Sequence, residues 1–196
     1  MALKILGVSG SLRGGSFSRR ALELTLEAVP NPEAETRLLD LSRSDLPMYR
    51  PGGGILTEVV AEVAAAVTWA DAFVLATPDY HGSMSGAMKN FLDYHWEEFA
   101  GKLFGYICAS HEKGLTAMDQ MRTAVRQCYG WSLPYGVSVH GEHDFDAAGA
   151  PASARIAGRF RMLARDMAVY GSLLRGQFQR DLVDSTCDTF ASRYRS

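Results

Sequence analysis

Apolar residues in this chain fall into short unbroken runs, each closed by a turn-forming cluster and followed by a stretch of helical spacing. Leu3-Lys4-Ile5-Leu6-Gly7-Val8 ends at Ser9-Gly10 and predicts a first strand. Ser16 or Ser18 can cap the helix that follows through Ala21, Leu22, Leu26 and Val29, and Pro30 and Pro32 end it. Residues 36–41 predict a second strand. A long connection follows, with Asp45-Leu46-Pro47-Met48-Tyr49 and the run Pro51-Gly52-Gly53-Gly54. Thr57 can cap a second helix whose apolar stripe is Val59, Val63, Ala66, Val67 and Ala70. Residues 72–76 predict a third strand and about 85–94 a third helix. Residues 103–109 predict a fourth strand, and Met118, Met121, Val125 and Cys128 a fourth helix. A fifth strand is expected over 135–139. The last helix carries Ile156, Phe160, Leu163, Met167 and Tyr170, with Gly171 as its expected C-cap. From Ser172 the tail keeps Leu173, Leu174, Phe178, Leu182 and Phe190, which predicts packing on the body or on a second subunit.

Strands three and four are apolar at every position, as strands covered by helices on both faces are. Alternation of strand and helix then predicts a parallel α/β sheet in a three-layer sandwich. Five such units fit the flavodoxin-like strand order 2-1-3-4-5, whose switch point lies between strands one and three. One domain over 1–196 is expected, with a core of about 3–171 and the tail 172–196 packed on it or on a partner.

Composition narrows the function by exclusion. Of 196 residues, 47% are hydrophobic and 21% charged, and 20 basic against 22 acidic side chains leave a formal charge of -2. That balance offers no basic face for nucleic acid. No apolar run approaches the ~20 residues of a membrane span. Cys108, Cys128 and Cys187 are odd in number, widely spaced and without a CxxC pair, which predicts a reduced, cytoplasmic protein. The first predicted strand begins at Leu3, so no signal peptide is expected ahead of it.

The chemistry is expected in the loops after strands one and three, which the topology brings together at the switch point. The first, residues 9–18, has neither Walker A nor GxGxxG spacing. What remains is a hydroxyl-lined anion site at a helix N-terminus, with Ser9, Ser11, Ser16 and Ser18 as donors and Arg13 as the charge. In the second, Thr77 to Gly86, Pro78 stiffens the strand exit, Gly82 permits positive φ, and Tyr80 can flank an aromatic ring. The amides of residues 79–83 are candidate donors to ring carbonyls and to a ring nitrogen. The plain alternatives are a flexible polar turn with Ser18 as a simple N-cap for the first loop and a surface turn in which Tyr80 caps the core for the second. His140-Gly141-Glu142-His143-Asp144 matches no metal-site spacing, so a polar loop after strand five is expected and no metal. Met84 stands where a nucleophile elbow needs Ser. Cys108 is expected to be a small core residue. Trp131 either shapes the pocket or packs under strand five.

Val8-Ser9-Gly10-Ser11-Leu12-Arg13 with Ser18, then Asp45-Leu46-Pro47-Met48-Tyr49, then Thr77 to Ser83 with Gly86-Ala87-Met88-Lys89-Asn90 and Asp93, together resemble the NAD(P)H-dependent FMN reductase family, which includes quinone, chromate and azo-dye reductases. The resemblance covers about residues 3–170. It implies FMN as cofactor, NADPH or NADH as co-substrate, a two-step hydride reaction and a homodimer or homotetramer. By motif it implies that Ser11, Arg13, Ser16 and Ser18 hold the FMN phosphate, and that Pro78, Asp79, Tyr80, His81, Gly82 and Ser83 border the isoalloxazine. The family more often has Glu and Asn where this chain has Asp79 and His81. After strand four it usually has glycines, where this chain reads Ser110-His111-Glu112-Lys113-Gly114. Ser110 and His111 are therefore counted with the ring contacts.

The expected function is FMN-dependent, ping-pong hydride transfer through flavin N5 from NAD(P)H to a small acceptor such as a quinone or free flavin. No catalytic acid is required by the sequence; His81 and His111 are the candidate proton donors. The alternatives are a flavodoxin-type electron carrier, against which the small net charge argues, and a flavin-binding sensor with little turnover.

Overall fold

The computed structural model describes residues 2–30, 32, 34–52, 57–186 and 188–194, so Gly53, Gly54 and Cys187 of the sequence reading lie outside it. Strands β1 (Leu3–Ser9), β2 (Ala34–Asp40), β3 (Ala72–Pro78) and β4 (Leu103–Ala109) alternate with helices α1 (Phe17–Glu27), α2 (Glu58–Trp69), α3 (Gly86–Asp93) and α4 (Leu115–Gln127). The strands pair in parallel in the order β2-β1-β3-β4-β5, with β5 at Trp131–Ser132. The flavodoxin-like order 2-1-3-4-5 is therefore the observed one.

The fifth position differs from expectation. It holds two fragments, β5 (Trp131–Ser132) and β6 (Val137–Val139), both parallel to β4. Phe104 pairs with Ser132 and Ile107 with Val137, so four residues on this side lie opposite two on β4. Pro134 lies in the gap and has no N–H to give to a ladder, which explains the break.

The period-two alternation of the central strands fills two cores. Leu6, Val8, Phe73, Leu75, Phe104 and Tyr106 face α2, α3 and α4, meeting Val63, Val67, Met88, Phe91, Met118 and Met121. Leu3, Ile5, Ala72, Val74, Leu103 and Ile107 face α1 and the long C-terminal helix, meeting Leu22, Leu26, Ile156, Phe160, Leu163 and Met167. A short helix, α5 (Gly141–Asp144), precedes that long helix, α6 (Ala154–Val183). Gly171 is not a C-cap: it lies inside α6, where a Cβ would come within 2.7 Å of Leu3 Cδ2, so glycine lets the helix cross close to β1. Beyond α6, Phe190 packs its ring near Phe178, Tyr129 and Trp131. Among the described residues no helix is long and apolar enough to cross a membrane.

Helix caps follow the sequence closely. Thr57 and Ser85 accept from Val60 and Met88 amides at the starts of α2 and α3, and Ser16, rather than Ser18, caps α1. Among the described residues, His95 is one of several buried groups that have no such partner. His95 is 5% exposed among Phe91, Tyr94 and Phe99, and neither ring nitrogen has a hydrogen bond. Burial, with Lys102 adding to it and Glu98 opposing, lowers its pKa to about 4. The unfolded chain takes up this proton near the ordinary pKa of about 6.5. Stability is thus fully present above that pH and is lost as pH falls toward 4, by up to about 3 kcal/mol. His95→Phe is expected to flatten the decline between pH 6.5 and 4; urea melts of both proteins at pH 7 and 4.5 measure it, and equal declines would overturn the assignment.

Candidate functional site

At the C-terminal ends of the central strands the loops after β1 and β3 are tied together. Gly10 N donates to Ala76 O at 2.8 Å, and Ser85 Oγ donates to Gly10 O at 2.6 Å. Ser85 N in turn donates to Thr77 Oγ1 at 2.9 Å. Gly10 permits this contact, since a Cβ there would meet Met88 Cβ at 2.8 Å and Ser85 Oγ at 3.0 Å.

Beside this junction opens a cleft of about 430 Å³, within the usual range for small-ligand sites. From the first loop it is lined by Ser11, Arg13, Ser16 and Phe17. Ser11 is 3% exposed and its Oγ accepts from Arg13 N at 3.3 Å. Among the described residues no carboxylate pairs with Arg13, whereas Arg19 is bound to Glu23 and Asp40. Phe17 and Ser18 open α1, where backbone N–H groups lack helical acceptors and the dipole favours an anion. Ser9 and Ser18 are fully buried and do not line the cleft: Ser18 Oγ bonds Ser16 Oγ at 2.9 Å, and Ser9 Oγ has no partner.

The second loop contributes Pro78, Asp79 and Tyr80 to the cleft, with Tyr80 51% exposed. Tyr80 and Ser83 exchange backbone hydrogen bonds of 2.9 and 3.1 Å around His81 (φ 56°) and Gly82 (φ 76°). Two consecutive positive φ values make this the tight turn that favours Asn-Gly, so His81 sits in a left-handed conformation at the turn's tip. Ser83 turns to α4, where its Oγ donates to Gln120 Oε1 at 2.7 Å. Of the amides of 79–83 read as candidate donors, four are spent within the fold. Asp79 N donates to Ala109 O, Tyr80 N to Ser83 O, Gly82 N to Asp79 Oδ1 and Ser83 N to Tyr80 O. Only His81 N has no partner among the described residues.

Asp79 joins the second loop to the one after β4, accepting from Ser110 Oγ at 2.9 Å as well as from Gly82 N at 2.8 Å. Ser110 and His111 line the cleft; Glu112 and Lys113 are exposed and do not. Cys108 beneath is fully buried, and burial with the Asp79 charge holds its thiol up at about 12, so it is a neutral core group as expected. On the other flank, Asn90 of α3 holds the Asp45–Tyr49 segment, accepting from Tyr49 N at 2.8 Å and donating to Pro47 O at 2.9 Å.

The sequence reading missed the last wall. His140, Gly141, Glu142 and His143 line the cleft instead of forming a remote polar loop, because β6 ends level with the other strands. The signal available was topological: any loop leaving the C-terminal end of strand five next to strand four reaches the same crevice. Among the described residues no group of three His, Cys, Asp or Glu is placed to hold a metal ion. Trp131 lies at the opposite end of β4, beside Leu103, and takes no part in the cleft.

The sequence matches the model of the NADPH-dependent FMN reductase family over residues 3–144. It is 35% identical over 124 residues to an NAD(P)H-dependent FMN reductase of Pseudomonas aeruginosa, covering 60% of this chain and 65% of that protein. It is 34% identical over 113 residues to an NADPH azoreductase of a Bacillus species, covering 56% and 64%. The chain thus spans just under two thirds of the length of these relatives. In fold it is similar to an NADH:FMN oxidoreductase, EMOB, with a TM-score of 0.71 at 19% identity over 86% of this chain and 90% of that one. It is likewise similar to FerB, an NAD(P)H:(acceptor) oxidoreductase of Paracoccus denitrificans, with a TM-score of 0.74 at 18% identity over 88% and 98%.

Proposed function

The chain belongs to the NADPH-dependent FMN reductase family, and on that premise we propose that it binds FMN and uses NADPH or NADH to reduce a small acceptor such as a quinone. The observation that carries this reading is Arg13, a cation without a carboxylate partner among the described residues, set beside the N-terminus of α1 in the cleft at the switch point. Such a group fits a terminal phosphate. Ser11 and Ser16 add hydroxyls on the same wall, and Ser18 acts from below by orienting Ser16.

FMN, when bound, supplies a ring that takes up a hydride and passes it on. Tyr80, half exposed beside Pro78, offers the flat apolar flank such a ring needs, and His81 N is the unspent amide on that loop. Asp79 does not face the ring as a free carboxylate; both oxygens are engaged in fixing Gly82 and Ser110. His111, which lines the cleft, is exposed, and co-substrate and acceptor entering there in turn would suit a ping-pong cycle. A homodimer or homotetramer belongs to the same reading, as the family resemblance implies, and a cytoplasmic location is supported by the cysteine pattern.

Mass spectrometry of the released cofactor is expected to give FMN, and FAD as the main species would sink the proposal. Anaerobic NADPH or NADH should bleach the flavin, and NAD(P)H oxidation under excess quinone should give parallel double-reciprocal lines. A flavin that neither nucleotide bleaches would leave a binding protein in place of an enzyme.

A further inference from the structure

Three of the chain's five histidines meet in the lining of the cleft. His111 Nδ1 lies 3.4 Å from His140 Nε2, and the two rings are edge to face at 5.4 Å. His143 stacks on His140 with centroids 4.4 Å apart and planes 11° apart. The backbone fixes this arrangement: His140 N donates to Asp144 Oδ2 at 2.7 Å, and His143 N donates to His140 O at 2.9 Å.

Nitrogens that face each other in this way hold one proton between them. One ring donates its N–H to the lone pair of the other, and charging both would set two cations in contact. The charged groups around the pair are Arg13 from the first loop, Asp79 from the second, Glu112 and Lys113 beside His111, and Glu142 and Asp144 on α5. Asp79 and Asp144 already accept protein hydrogen bonds, and Glu142 lines the cleft next to the histidines.

We propose that His111 and His140 share a proton and deliver it to the oxygen of a quinone reduced in this cleft, with His143 holding His140 in place; this rests on the function proposed above. Two-electron reduction of a quinone to a hydroquinone takes one hydride and one proton. The hydride comes with the established family chemistry, and the proton is the part this chain supplies. An imidazolium N–H bond breaks, its electron pair stays on nitrogen, and an O–H bond forms on the quinone oxygen. His143 and His111 are exposed, so water reloads the neutral pair.

The test compares the holoenzyme with His140→Gln, which keeps hydrogen bonding and removes titration. Ferricyanide takes electrons and no proton, so the readout is the ratio of quinone to ferricyanide rates. The ratio should fall about 100-fold, as loss of a general acid does, and added imidazole should restore part of it. Independently, histidine ring NMR should show a hydrogen-bond coupling between His111 Nδ1 and His140 Nε2 in the wild type that disappears in His140→Gln. An unchanged ratio in an active enzyme, or rings without that coupling in the wild type, overturns the proton delivery. A wild-type protein that takes no electrons from NADPH or NADH overturns instead the functional reading on which it rests.

Discussion

Gly10→Val is expected to destabilise the protein by about 3 kcal/mol and to weaken FMN binding with it. The position has no space on the side where a Cβ would point: Met88 Cβ and Ser85 Oγ lie 2.8 and 3.0 Å away. Met88 is fully buried in the core under α3 and cannot swing clear. Ser85 is held on three sides, donating to Gly10 O, accepting from Met88 N and taking Thr77 Oγ1 at its amide. Overpacking of this kind typically costs ~1–3 kcal/mol, and a displaced Ser85 leaves a buried acceptor unsatisfied at ~1–3 kcal/mol more, part of which relaxation recovers. Gly10→Ala should follow the same direction at roughly half the size. Urea melts of the apo proteins and flavin-fluorescence titrations measure the two effects separately. A variant with an unchanged melt and unchanged affinity would show that α3 slides freely, and that the two loops are not the rigid unit described above.

The loops after β1 and β3 were legible where their residues do local work. Ser16 is a cap and Gly82 a positive-φ turn residue, and both roles follow from backbone chemistry that a short segment displays. The unbroken apolar runs of β3 and β4 likewise revealed burial on both faces. What stayed hidden depended on distant partners. Nothing near Gly171 announces that Leu3 lies under it, so a glycine late in a helical pattern looked like a cap. The strand after Pro134 was seen, but the fragment before it, β5, depended on the β4 edge. The amides of the second loop looked available because their acceptors, Ala109 O and the Asp79 side chain, belong to the fold and not to the motif. His140 and His143 were hidden for the same reason: only the level at which β6 ends puts them opposite His111.

Arg13→Ala is expected to weaken FMN about 10- to 100-fold while leaving the melt unchanged. Its guanidinium has no carboxylate partner among the described residues, and the residue is exposed, so its removal takes nothing from the fold. A charge-assisted hydrogen bond to phosphate is worth ~1.5–3 kcal/mol, which sets the range. Ser11→Ala should behave differently. Ser11 Oγ is buried and accepts from Arg13 N, so its loss loosens the loop as well as removing a donor, and a smaller loss of affinity of about tenfold should come with a slightly lower melt. Riboflavin separates the charge from everything else, because it carries the same ring without the phosphate. If Arg13 meets the phosphate, Arg13→Ala leaves riboflavin affinity where it was, and raising salt weakens FMN in the wild type more than in the variant. Equal losses for FMN and riboflavin would move Arg13 from the phosphate to the ring, and no loss for either would move the phosphate away from this end of α1.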